Sequence, residues 1–242
     1  MMSGLSALDL AALAWFLLAW LGYAPFVRWK GGRLRTVSAA MIGHRRAWMH
    51  SLLGREMKIA DAAIIGHIMS TAAFFASTTV IVIGALLGVL INLERGVQAV
   101  AGPWYAIEAR SPLEIKLGLI FVVAVYAFLS FTWAIRQANF GAVMIGAAPS
   151  PPLEPALRER IATSMASIIT SVAGSYDNGM RAYYFAIGAV TWIASPVLFL
   201  VVTTGVVVLL LLRQTRSQTA LALQEIAAAR AEAQQAGAKP QA

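Results

Sequence analysis

The sequence has no cysteine in 242 residues, and only 12% of it is Asp, Glu, Lys or Arg. The first absence excludes disulfides, thiolate zinc sites, iron–sulfur clusters and thiol chemistry. The second is about half the charge of a soluble domain, where about 25% is usual. Histidine is scarce too: His44, His50 and His67 are all there are. His44 and His50 stand six apart, off a common helix face, and His67 falls in a different segment. Neither a haem nor a metal site is predicted. Gly-x-Ser-x-Gly, phosphate-loop and His-Glu-x-x-His patterns are also missing. No catalytic residue, metal ligand or cofactor is assigned, and the balance is against an enzyme.

Charge is missing in blocks. Residues 10–27, 62–93, 117–135 and 182–212 contain no acid, Lys or Arg. A bilayer's hydrocarbon core is about 30 Å thick and needs roughly 20 apolar residues to span it as helix. The sequence therefore predicts an all-α, polytopic membrane protein: a four-transmembrane-helix bundle over residues 1–212, with a polar, Ala- and Gln-rich tail over 213–242. The spans are placed at about 7–27, 59–91, 113–135 and 182–212. The first reads as a retained helix, since no basic residue precedes it and no small-x-small cleavage pattern stands before Arg28. The second would be roughly 50 Å long as straight helix, more than the hydrocarbon thickness. Pro196 is expected to kink the fourth.

The connections are amphipathic. Val37, Met41, Trp48 and Leu52 fall near helical spacing, with Arg45 and Arg46 between them and Thr36 or Ser38 to cap the start. This predicts an interfacial helix over 38–53. Residues 147–155 are Pro-rich and cannot be helical throughout. After them Leu157, Ile161, Met165, Ile168 and Val172 mark one apolar face. Gly174–Arg181 is expected to break that helix before the fourth span. The 92–112 stretch, with Gly102 and Pro103, is expected to be a loop, and the tail to fray before Pro240.

The net charge of +8 suits topology-setting loops beside anionic lipid better than nucleic acid. Segment 28–58 holds eight Lys and Arg, and 136–181 adds Arg136, Arg158, Arg160 and Arg181. The positive-inside rule puts both segments in the cytoplasm of a bacterial inner membrane and both termini outside.

Thr36-Val37 followed by Arg45-Arg46-Ala47-Trp48-Met49 resembles the start of the membrane family called domain of unknown function 599. The resemblance continues through the Ser70–Thr78 run, Gln137-Ala138-Asn139-Phe140, Gly179-Met180-Arg181-Ala182-Tyr183-Tyr184-Phe185, Trp192 and Pro196. It covers residues 8–202. It implies a small multi-pass bacterial or plant membrane protein and brings no activity with it.

Three features carry site expectations. Gly84-x-x-x-Gly88 is a close-packing motif for helix contacts. Asp61 is an acid near the body of a span, with Lys58 placed to neutralise it on the same helix face. Arg45, Arg46, Trp48, Gln137, Asn139, Tyr176, Asp177, Asn178 and Arg181 stand at helix ends on one side. They form either a bonding network or a binding pocket for an anionic headgroup, small anion or acidic segment. The function that fits best is a non-enzymatic accessory or scaffold subunit that meets lipid and a membrane-protein partner or further copies of itself. The alternatives are an oligomeric channel or carrier for a small anion or other solute, lined by the hydroxyls of the second helix, and a lipid-active membrane enzyme.

Overall fold

The computed structural model describes residues 5–34, 36–92, 110–216 and 218–237. The expected loop around Gly102 and Pro103 and the fraying near Pro240 lie outside them. The described residues form seven helices: α1 (Ala7–Leu34), α2 (Val37–Leu52), α3 (Ile59–Ile91), α4 (Arg110–Gly146), α5 (Pro155–Thr191), α6 (Pro196–Thr215) and α7 (Gln218–Gly237). Four helical segments are long and apolar enough to cross a membrane: Ala7–Lys30, Ile59–Ile91, Pro112–Gly146 and Pro196–Thr215.

Local chemistry sets most of the boundaries. Ser6 caps α1, with Asp9 three residues on returning a bond to the Ser6 backbone at 3.0 Å, a capping box. Thr36 caps α2 by accepting from the Ala39 amide at 3.3 Å. Glu154 accepts from the amides of Ala156 and Leu157, and Pro155 supplies the first turn of α5.

Two expectations about the last third of the chain are corrected. Gly174–Arg181 is no break: α5 runs through it without interruption to Thr191. The break lies instead at 192–195, and Pro196 opens a new helix behind the cap Ser195, whose hydroxyl accepts from the Val197 amide at 3.2 Å. Proline lacks the N–H an interior position needs, whereas a first-turn position does not use it. Residues 182–212 are thus two helices, not one kinked span.

Contacts fix the directions. Phe131 meets Gly179, and Gly141 meets Ile169, so α4 and α5 are antiparallel. Gly188 meets Thr203, and Trp192 stacks on Phe199, so α6 turns back along α5. Phe75 stacks on Phe131 while Lys58 reaches Ala148, so α3 is antiparallel to α4. Asp9 meets Trp192 and Tyr23 meets Arg181, so α1 also runs against α5. One end of the bundle holds Asp9, Lys116 and Trp192. The other holds α2, the start of α3 and of α5, and α7, where His44 Nε2 lies 3.1 Å from the Leu223 carbonyl.

The start of α1 sits at the Trp192 end, while α7 packs on α2 at the opposite end, because the break at 192–195 adds one reversal of direction.

The core is in two storeys. The first contains Phe16, Val123, Phe131, Phe185, Trp192 and Phe199, all fully buried. The second lies toward α2 and contains Met49, Leu52, Ile65, Ile145, Met165 and Ile169. Outward faces of the apolar helices keep large side chains exposed, Leu18, Ile81, Leu129 and Val201 among them.

Candidate functional site

The expected polar cluster separates into four groups. Trp48 Nε1 donates to Asp61 Oδ1 at 2.7 Å, and Arg55 Nη1 donates to the same carboxylate at 2.9 and 3.2 Å. Asp61 is buried, so its partner is Arg55 and not Lys58, whose Nζ turns to the Ala148 carbonyl at 3.4 Å. The correction is geometric: the 53–58 turn folds Arg55 back over the first turn of α3.

Arg46 pairs with Glu159 on α5, at the water-exposed surface of the second storey. The hydrogen bond from Arg46, with its charge, holds the Glu159 carboxyl below the usual carboxylate range. Gln137 closes a third group. With its amide oxygen accepting from Trp133 Nε1 at 2.9 Å, its nitrogen donates to the Ser171 carbonyl at 3.0 Å and to Ser175 Oγ at 2.9 Å. Asn139, two residues on, is exposed.

The fourth group joins α1, α2 and α5. Arg181 donates to Asn178 one turn earlier on α5 and lies 5.8 Å from the centre of the Tyr23 ring. Asp177 feels the charges of both Arg181 and Arg45. Burial pushes the Arg45 guanidinium down from its usual range, and the Asp177 charge opposes that. Tyr176 instead packs into the rings of Phe75 and Phe131. Beside this group a cleft of about 200 Å³ opens between α1, α4 and α5, walled by Leu21, Pro25, Arg28, Tyr126, Asn178 and Arg181. The expected meeting of Arg46, Asn139, Asp177, Asn178 and Arg181 is therefore partial. Asp177, Asn178 and Arg181 converge with Arg45, while Arg46 and Asn139 do not join them.

Gly84 and Gly88 have open space where a Cβ would stand, so among the described residues they make no close helix contact. That role falls to glycines the sequence did not single out. A Cβ on Gly179 would come within 2.7 Å of the Phe131 ring, and one on Gly188 within 3.1 Å of Thr203 Oγ1. The threonine hydroxyls of α3 bond backbone, and Thr79 Oγ1 also lies 2.5 Å from Tyr183 Oη on α5. Thr71, Thr78 and Thr79 donate to the carbonyls of His67, Phe74 and Phe75 on their own helix, at 3.0, 2.9 and 2.6 Å.

At the Trp192 end lies a polar group that sequence reasoning missed. Trp192 Nε1 donates to Asp9 Oδ1 at 2.8 Å, Ser6 Oγ donates to Oδ2 at 2.6 Å, and Lys116 Nζ is 3.9 Å from Oδ1. Lys116 is fully buried and stands 5.7 Å from the Trp192 ring centre. Asp9 was legible only as a first-turn acid; Trp192 and Lys116 lie more than a hundred residues away from it. Among the described residues, no set of three His, Asp or Glu side chains is placed to hold a metal ion.

No curated protein and no solved structure matches the chain. The family model described as "Protein of unknown function, DUF599" matches residues 11–219. The chain belongs to this DUF599 family.

Proposed function

We propose that this protein is a non-enzymatic accessory or scaffold subunit of a bacterial inner membrane, with the α2 end in the cytoplasm. Segment 28–58 with its eight basic residues, Arg136, Arg158, Arg160, Arg213 and Arg216 would all fall at that end, as the positive-inside rule requires. The basic residues at the start of the tail then lie on the same side as the first loop. Bringing α6 back to that end makes α5 a fifth crossing. Its half near Ala182–Thr191 is flanked by α4 and α6 and tolerates more polarity than a lipid-facing helix.

The observation that carries the scaffold reading is how the buried polar groups are bonded. Asp61 is held by Trp48 and Arg55, Asp9 by Ser6 and Trp192, and Tyr183 donates to the Phe75 carbonyl at 2.9 Å. Each is a tie between helices or turns, as buried polar groups need. The channel reading has less support. Phe16, Phe131, Phe185 and Trp192 fill the protomer interior, and Thr71, Thr78 and Thr79 donate to carbonyls of their own helix.

Purification from native membranes in polymer-bounded nanodiscs tests this. A membrane protein should co-purify at fixed stoichiometry with the full chain, and be lost when the chain stops after Arg216. Isolation of the chain alone, with solute flux in reconstituted vesicles, would replace the scaffold reading with the carrier one.

A further inference from the structure

We propose that the cleft between α1, α4 and α5 binds the phosphate of an anionic phospholipid, held by Arg28 and Arg181 with Asn178 beside them and the acyl chain along Leu21 and Pro25. The inference rests on the bilayer placement above.

Three observations converge on it. The first is charge. Arg28 and Arg181 come from different helices, line one cleft, and lie close enough for their like charges to oppose each other. Asp177 feels the charges of both Arg181 and Arg45, so one carboxylate lies within electrostatic reach of two guanidinium groups and Arg28 adds a third. Such a group at the membrane surface is completed by an anion, and guanidinium suits phosphate through paired N–H donors.

The second is depth. Arg181 stands eleven residues before Trp192, about 16 Å along the helix. That puts its backbone at the level of the apolar storey. A long side chain there reaches toward the interface, where Arg28 is the first charge after the uncharged block 10–27. The third is the wall. Leu21 is 62% exposed, and Pro25 is exposed beside it, so under that bilayer placement the cleft opens toward lipid chains. Tyr126 closes the other side, its ring edge-on to Trp20 at 5.3 Å. A charged floor with an apolar, lipid-facing wall matches a headgroup with its chain attached better than a free ion.

The full chain, purified in mild detergent, would be offered mixed phosphatidylglycerol and phosphatidylcholine, and retained lipid counted by native mass spectrometry. Phosphatidylglycerol should be retained preferentially. Arg181→Gln and Arg28→Gln should each weaken retention roughly tenfold, equivalent to about 1.4 kcal/mol. Arg160→Gln, on the exposed start of α5, should change nothing. Arg28 is exposed, so its variant tests the site even if Arg181→Gln fails to fold. Equal retention of both lipids, or unchanged retention in Arg28→Gln, overturns the proposal. A thermal shift with inorganic phosphate and none with phosphatidylglycerol overturns the lipid source. A chain that remains soluble and folded without detergent would instead defeat the membrane reading itself.

Discussion

Asp9 and Trp192 are 183 residues apart in sequence and joined by a 2.8 Å hydrogen bond at one end of the bundle. The same carboxylate caps α1 through Ser6. One side chain therefore fixes the start of the first helix and ties it to the turn between α5 and α6. Asp9→Ala removes both, and should lower stability by about 1–3 kcal/mol, since it strands a buried indole N–H. Trp192→Phe should cost less than the sum suggests when combined with it, because contacting residues couple. Additive losses in detergent melting would show the two to be independent.

Glycine substitutions separate two packing schemes. Gly179→Leu would drive side-chain atoms into the Phe131 ring and should destabilise by about 1–3 kcal/mol. Gly84→Leu and Gly88→Leu point into open space and should leave the melting temperature of the isolated protomer unchanged. The reverse ranking would mean that α4 and α5 do not approach through Gly179.

Removal of the Asp61 carboxylate should be among the more damaging single changes in the second storey. Asp61→Ala leaves the Trp48 indole and both Arg55 contacts without their acceptor, costing about 1–3 kcal/mol. Lys58→Ala should be much milder, because Lys58 does not reach Asp61. Similar losses for both would restore Lys58 as the partner.

The Arg46–Glu159 pair has a pH signature. Its Glu159 carboxyl is held below the ordinary value of 4.5, so the pair contributes above that pH. The contribution fades as pH falls through the lowered folded-state value. Glu159→Gln should flatten this acid limb and lower stability near pH 7 by the same amount, a small one since the pair is exposed and screened. An acid limb identical in the variant would assign it to other carboxylates.

Reporter fusions test the direction of the chain. Fusions at Gly54, at Pro151 and after Gly237 should all report cytoplasm, and one at Gly102 the opposite side. A C-terminal fusion matching Gly102 would restore four crossings in place of five.

Much of this architecture was already written in the order of residues. Uncharged blocks about as long as a bilayer is thick, or longer, leave a chain few options, because an apolar helix satisfies its backbone internally whatever surrounds it. The cap at Thr36, the turn before Pro155 and the α2 amphipathic face are likewise local, decided by neighbours within a few residues. What the tertiary structure decided was continuity and pairing. Gly174–Arg181 has the composition of a break, yet it stays helical because Gly179 receives the Phe131 ring and Asp177 sits near Arg45 and Arg181. That packing outweighs the weak preference of Gly and Asn against helix. The outcome moves the break to 192–195, reverses the last helix and carries the C-terminal tail to the other end of the bundle. Which arginine meets which carboxylate was equally out of reach: Arg55 rather than Lys58 for Asp61, Arg46 with Glu159, Arg28 beside Arg181. Such pairs depend on how helices distant in sequence are rotated against one another, and helix rotation is set by the shapes of buried side chains acting together, not by any segment alone.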